Sequence, residues 1–369
     1  MARHPEGRKA MAQGTGEAGT SETEASETEA RVRRAVTGAT GRDASRLPVR
    51  RLAGHASLRS YWRVGTPPAS WVVMVLPPDA RPEEATSGAP PAENPFVDVQ
   101  RWLASAGVRV PAIHAFDEAE GLMVLEDLGD EMLETRLAAG AHPEPLYRAA
   151  VDQLARLRAR SEREPDPGCV AFRRSFDRAL YRWELDHFRE WLLEAWKGAR
   201  LSAAEAAAVD RHFDAIAAAL DREPRGFTHR DYQSRNLMLL PSGEQAVIDF
   251  QDALLGPRQY DLVALLRDSY VELPADLVGR MLQRYLDRLE AEGGPRLDPG
   301  AFRATFDLLT VQRKLKDAGR FVYIDRVKGN PGFLPSIPSS LRYVREALAR
   351  RPDLAELREI LARHVPELA

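Results

Sequence analysis

The sequence predicts an α+β fold of two lobes, a small antiparallel-sheet lobe followed by a larger helical one. Three observations predict it. Short runs with the two-residue period of a half-buried strand cluster in the first third of the chain. After Leu128 the pattern changes to long amphipathic stretches with charged outer faces. At 369 residues the chain also exceeds one average domain.

The elements follow in order. Residues 1–30 are rich in Gly, Ala, Ser, Thr and Glu and carry SETEA at 21–25 and again at 26–30. Such a segment buries too little apolar surface to offset its ordering entropy. A disordered tail is therefore expected over residues 1–46, with a weakly signalled helix near 31–45. The small lobe is expected over 47–128. Pro48–Ala53 and Leu58–Val64 read as strands joined through Gly54-His55-Ala56-Ser57, and Trp71–Leu76 reads as a third. A proline-rich loop follows over 77–95. Phe96–Ala106 is helical by its apolar spacing and is closed by Gly107. Val108–His114 and Gly121–Glu126 complete the sheet. The helical lobe, 129–369, is expected to carry helices at 143–161, 172–197 and 202–221. A hairpin at 237–250 turns through Pro241-Ser242-Gly243-Glu244, and helices resume from Asp261.

Composition excludes several classes. A net charge of −3 gives no field to draw nucleic acid or an anionic membrane surface. The longest strand-like apolar run, Trp71–Leu76, is far too short to span a bilayer, and the N-terminus lacks the apolar stretch of a secretory signal. The single cysteine, Cys169, rules out an intramolecular disulfide and suits the cytoplasm. No obligate protein partner is expected.

The chemistry is concentrated in Thr228-His229-Arg230-Asp231-Tyr232-Gln233-Ser234-Arg235-Asn236, which fits H-R-D-x-x-x-x-N, a catalytic loop of phosphotransferases. Thirteen residues after Asn236, at the exit of the hairpin, stands Asp249-Phe250-Gln251-Asp252. The spacing has a physical reason. Phosphoryl transfer needs a carboxylate to take the acceptor's proton, which is Asp231. It also needs hard oxygen ligands for cations that neutralise a triphosphate. Asn236 offers an amide oxygen, and the hairpin returns Asp249 to the same metal. The cofactors read from this pattern are ATP and Mg²⁺.

These residues resemble the aminoglycoside-phosphotransferase-like family of the protein-kinase-like fold. Within it the chain is most similar to kinases of cell-wall recycling that act on the anomeric hydroxyl of N-acetylmuramate and N-acetylglucosamine. The resemblance covers approximately residues 50–366. It rests on Ala56–Arg63, Glu93-Asn94-Pro95-Phe96, Val247–Ala253, Gly256-Pro257, Tyr260-Asp261-Leu262 and Val311–Lys316. It implies an ATP-dependent kinase whose partner is a small-molecule sugar and whose product is a sugar 1-phosphate for peptidoglycan recycling. Rival readings are a kinase for choline, homoserine or an aminoglycoside, and a non-catalytic nucleotide-binding scaffold. The intact Asp231, Asn236 and Asp249 argue against the scaffold.

The nucleotide half departs from the general kinase pattern. There is no G-x-G-x-x-G, leaving backbone N–H groups and the Ser57 hydroxyl to cradle phosphate. No lysine occurs between Lys9 and Lys197, so arginine must take the phosphate-pairing role. Arg59 and Arg63 share one face of their strand and are the candidates. Glu126 and Leu128, in the stretch Leu122–Gly129, resemble the hinge that meets adenine. The resemblance implies that His229 and Asp261 brace the catalytic loop. Substrate contacts are expected among Arg235, Asp252, Arg267 and Arg313, with Lys314 and Lys316 completing a basic set on the helical lobe.

Overall fold

The computed structural model describes residues 17–52, 59–76 and 93–369, with side chains from residue 25 onward. It divides into two compact units, Met1–Ala80 with Ala112–Asp127 and Arg81–Pro111 with Leu128–Ala369.

The smaller unit holds α1 (Glu17–Thr40), β1 (Val49–Leu52), β2 (Ser60–Thr66), β3 (Ala69–Val75), β4 (Ile113–Asp117) and β5 (Leu122–Glu126). The strands form one antiparallel sheet in the order β1-β2-β3-β5-β4. Its register pairs Arg63 with Val72 and Trp71 with Glu126. The tight β2–β3 connection needs Gly65, which has φ +96° and where a Cβ would lie 2.4 Å from the Ala69 carbonyl oxygen.

The expected tail does not extend to residue 46. Val32 and Val36, one turn apart on α1, are fully buried with Ala44 against Trp62, Val64, Val73, Leu122 and Val124. Burial of each valine contributes about 1.5–3 kcal/mol, enough to hold a helix whose remaining faces are Glu, Thr and Arg. The polar repeat obscured this narrow stripe. Residues 1–16 lie outside the described residues, as do Gly54-His55-Ala56-Ser57 and residues 77–92, where a loop was expected.

The larger unit begins with α2 (Pro95–Ser105), capped by the Asn94 side chain, which accepts the Phe96 N–H at 2.9 Å. This helix was expected in the small lobe, but its apolar face is used elsewhere. Phe96 packs on Phe250 at 4.6 Å between ring centroids, and Trp102 stacks on Phe227 at 4.5 Å. The buried Asp98 carboxylate accepts the Val170 N–H at 2.6 Å. The strand expected at 108–114 is displaced to β4. Pro111 has no N–H for a ladder, and the Arg109 carbonyl instead accepts the Val247 N–H at 2.8 Å.

Next come α3 (Leu133–Ala138), α4 (Pro143–Arg163), α5 (Arg178–Phe188), α6 (Ala203–Asp221), β6 (Arg225–Thr228), β7 (Leu237–Leu239), β8 (Gln245–Val247) and β9 (Leu254–Pro257). The unit closes with α7 (Tyr260–Leu266), α8 (Ala275–Ala291), α9 (Pro299–Lys328), α10 (Ile337–Ala349) and α11 (Ala355–His364). β6 pairs with β9 and β7 with β8, both antiparallel. The helix expected over 172–197 starts late. Ser175 bridges Leu255, Asp177 caps α5 by accepting the Leu180 N–H at 2.8 Å, and Arg189–Trp196 continues as π-helical turns. No helix among the described residues is long and apolar enough to cross a membrane.

Candidate active site

The larger unit builds its site at the exit of β6. The His229 and Arg230 N–H groups both donate to the buried Asp261 carboxylate of α7, at 2.8 and 3.0 Å. Asp261 thus fastens the loop to α7, the helix that follows β9. Burial pushes its pKa upward, opposed by His229 and the two N–H groups. His229 itself is a buried bridge. One ring nitrogen, Nε2, lies 3.1 Å from the Ile248 carbonyl, and the other, Nδ1, lies 3.3 Å from the Asp231 N–H. A carbonyl only accepts and an N–H only donates, so both bonds require the neutral Nε2–H tautomer. Burial, which lowers the imidazole pKa, favours the same form.

Asn236 stands at the end of the loop. Its amide nitrogen donates to the Asp231 carbonyl at 2.8 Å, which fixes the amide orientation and leaves the oxygen as the atom presented to a cation. The β7–β8 hairpin then brings the chain back, and the Ile248 N–H donates to the Asn236 carbonyl at 3.1 Å. Asp249 is thereby set beside Asn236. The Gln251 amide donates to both Asp249 Oδ1 and Asp252 Oδ2, each at 3.0 Å, holding two carboxylates in place. An amide oxygen and a carboxylate are hard oxygen donors of the kind a divalent cation takes, with phosphates and water as its remaining ligands.

Backbone geometry marks the same place. Among the described residues, the non-glycine residues with positive φ are Arg230 at 76° and Asp249 at 64°. Left-handed conformations cost energy for L-residues and persist where surrounding contacts over-determine them. Here the Asp261 carboxylate and the hairpin are those contacts.

Asp231 is the open group of the set, with 42% of its side chain exposed. Burial of the surrounding site pushes its pKa up, but Arg313, Lys316 and Arg230 outweigh that and hold it below the ordinary carboxylate value. Arg313, from α9, is nearest. Its guanidinium donates to Asp231 Oδ1 at 3.1 Å and to the Arg230 carbonyl at 2.5 Å, and it lies over the Tyr260 ring at 4.8 Å. Its side chain is only 2% exposed. The arrangement can keep a carboxylate ionised and aimed outward, the state a proton acceptor needs.

The other expected substrate contacts fare differently. Arg313 is a buried partner of the candidate base rather than an open contact. Arg267 is corrected outright. It lies buried over Phe306 and Tyr343, with Glu346 at 3.5 Å, and a substrate does not reach it. Arg235 forks onto Glu134 at 2.7 and 3.0 Å and stacks on Tyr270. Asp252 is tied to Gln251. Leu128 packs with Met238 and Ala246 of the hairpin.

In the smaller unit, Arg63 is a correction of the same kind. It is paired with Asp127 at 2.6 Å, both side chains are under 5% exposed, and Ser70 donates to the same carboxylate at 2.6 Å. This is an interior ion pair and not a phosphate contact. Glu126 Oε2 accepts the Ala112 N–H at 3.1 Å. Arg59, just before β2, is half-buried. Ser57 lies outside the described residues.

The sequence reading missed Asp268, whose carboxylate accepts the Ser234 N–H and hydroxyl at 2.8 and 2.5 Å and the Tyr270 N–H at 3.0 Å. Its signal was a second carboxylate seven residues after Asp261, just past the end of α7. It also missed Glu184 of α5, fully buried, which accepts from Gln312 at 2.6 Å and lies 3.8 Å from the Arg230 guanidinium.

The model of the phosphotransferase enzyme family matches residues 48–299. The N-acetylmuramate/N-acetylglucosamine kinase of Pseudomonas aeruginosa is 38% identical over 83% of this chain and 86% of its own. The kinase of the same name from Pseudomonas putida is 35% identical over 83% and 85%. Among solved structures, choline kinase from Streptococcus pneumoniae superposes with a TM-score of 0.59 at 14% identity, covering 88% of this chain and 99% of that one. That last likeness concerns the fold.

Proposed function

The chain belongs to the phosphotransferase enzyme family, and from that premise we propose that it transfers the γ-phosphoryl group of ATP to the anomeric hydroxyl of N-acetylmuramate or N-acetylglucosamine. Asp231 accepts the hydroxyl proton as the anomeric oxygen attacks the γ-phosphorus. The new bond is O1–P, the bond from phosphorus to the β–γ bridging oxygen breaks, and ADP carries away its electrons. The product is the sugar 1-phosphate.

The observation that carries this reading is the Asp231 carboxylate, open on one side and held ionised by Arg313 on the other. The choice of acceptor is supported by the two Pseudomonas kinases, to which this chain is more than a third identical over most of its length. Mg²⁺ is proposed at the Asn236 amide oxygen and the Asp249 carboxylate, where it would neutralise the triphosphate. With Arg63 committed to Asp127, Arg59 is the proposed phosphate cation of the smaller unit, and the Asp261 and Asp268 carboxylates hold the loop that presents Asp231.

Phosphorus NMR of the product tests the reading, since an anomeric phosphate differs from an ester at any other carbon. Incubation with ATP and each of N-acetylmuramate, N-acetylglucosamine, choline, homoserine and an aminoglycoside is expected to give anomeric phosphate on the amino sugars. Transfer to choline, with none to either sugar, overturns it.

A further inference from the structure

Two consecutive residues of α9, Arg313 and Lys314, bear on the two ends of the catalytic loop. Arg313 takes the first end directly, at the Arg230 carbonyl and Asp231 Oδ1. Lys314 was expected in a basic set that meets substrate. It is instead buried, with its side chain 2% exposed. Its ammonium donates to Asp317 Oδ2 at 2.7 Å and to the Ser269 hydroxyl at 3.0 Å. Asp317 also lies 3.9 Å from the Arg313 guanidinium, so one carboxylate lets two like charges stand side by side.

Ser269 is the centre of a short segment, Asp268–Tyr270, that seats the far end of the loop. Asp268 holds the Ser234 N–H and hydroxyl, and the Arg235 guanidinium lies 3.5 Å from the centroid of the Tyr270 ring. The bond from Lys314 is part of a directed chain. The Ser340 hydroxyl donates to the Ser336 carbonyl at 3.0 Å, so it accepts from Ser269 at 2.8 Å. The Ser269 oxygen is thereby left to accept from Lys314. Ser339 closes the seat by donating to the Ser269 carbonyl at 2.7 Å. Ser234, Asp268, Ser269, Lys314 and Ser340 are all buried, where a satisfied polar network is stiff and specifies one arrangement.

We propose that Lys314 is a positioning residue for phosphoryl transfer: through Ser269 and Asp268 it sets the Ser234–Asn236 end of the loop against the Asp231 end that Arg313 holds. The inference rests on the phosphotransferase reading above and not on the choice of acceptor. Fold stability alone gives little reason to bury an ammonium, since apolar side chains of similar volume often serve as well. The reaction supplies a reason. Within the loop, the Asn236 amide on the Asp231 carbonyl at 2.8 Å joins the proposed metal ligand to the proton acceptor. Their separation has to be held, because a misplacement of about 1 Å costs about 10² in rate. Adjacent residues of one helix hold it from outside the loop.

Hydrogen–deuterium exchange and steady-state kinetics of Lys314→Met, Ser234→Ala and the double variant test this. In Lys314→Met, Asp317 keeps Arg313 and Lys316 as counterions, so no carboxylate is stranded. This variant is expected to speed amide exchange over residues 232–237 by about tenfold or more, with α4 and α8 unmoved. Its kcat is expected to fall by about 10–100-fold. The KM values for ATP and sugar, and the ATP stoichiometry in calorimetry, are expected to stay those of the wild type. Ser234→Ala is expected to lower kcat similarly, and the double variant to fall little below the lower single one, because both cut the same chain of bonds. Ser269→Ala keeps the ammonium on Asp317 and removes its bond to the segment. It is expected to show the same changes in exchange and kcat, and it decides the matter where Lys314→Met does not fold. Unchanged exchange over 232–237, an unchanged kcat, multiplied losses in the double variant, or a kcat loss matched by a fall in ATP stoichiometry overturns the proposal. A wild-type enzyme that phosphorylates neither sugar overturns the functional reading instead, and exchange still decides whether Lys314 holds the loop.

Discussion

Each unit of this protein contains an arginine–aspartate pair, and the two differ in one respect that matters. Arg63 and Asp127 are both sealed, at 4% and 3% side-chain exposure. Arg313 is equally sealed at 2%, but its partner Asp231 is 42% open. The chemistry of the pair is the same, so its role is set by who can reach the carboxylate. A closed pair satisfies itself and contributes to folding, whereas the half-open pair leaves the Asp231 carboxylate accessible while Arg313 holds its charge in place. A buried cation lends its partner a lowered pKa without competing for the open face.

The comparison can be broken from either side. The largest effect is expected at the open pair. Asp231→Asn keeps the shape and removes the proton acceptor, and turnover is expected to fall by about 10²–10⁴ while ATP binding measured by calorimetry stays near that of the wild type. Unchanged turnover would remove the role assigned to Asp231.

At the closed pair the loss is expected in stability. Arg63→Met leaves Asp127 buried without its main partner and should cost about 3–5 kcal/mol in denaturant unfolding. The double variant Arg63→Met/Asp127→Leu should recover most of that, because two apolar groups leave no uncompensated charge. A double variant as unstable as the single one would show that the pair is more than an interior ion pair.

A smaller effect is expected from Arg313→Gln, read in the pH profile of kcat/KM. A base with a lowered pKa stays ionised as the pH falls through the ordinary carboxylate range. Without Arg313, burial raises that pKa, so the acid limb should move to higher pH by about 1 unit or more. An acid limb that stays where it is, or moves to lower pH, would show that Arg313 does not set the charge of Asp231. The smallest effect is expected at an exposed pair that resembles neither. Arg101→Ala, which breaks the surface fork to Glu93, should change stability by less than about 1 kcal/mol.

The amount legible in the sequence followed the range of the interactions. His229, Asp231, Asn236, Asp249 and Asp261 were readable because short, regular connections place them. A loop, a hairpin and one helix separate them, and their spacing survives in the linear order. The strands β2, β3 and β5 were readable by their period. By contrast, Val32 and Val36 are too few to mark a helix in a segment of such polar composition, and only the sheet they cover reveals them. Arg63 could not be told from Arg59 by alternation, since the two-residue period assigns both to one face; only the structure sets Arg59 before β2 and Arg63 against Asp127.

The sequence by itself determined the order of elements, the two-lobed α+β architecture and the identity of the candidate base and metal ligands. These rest on periodicity, turn chemistry and spacing, all of which are local. The tertiary structure alone decided which cations serve Asp231. Arg313 and Lys316 lie some 80 residues downstream on a helix whose sequence pattern is that of any amphipathic helix. It also decided that Arg63 and Arg267 are interior, and that Lys314 is buried against Ser269 and Asp317. Burial and long-range pairing are properties of the packed chain, and burial decides whether a charged side chain holds the fold together or meets a substrate.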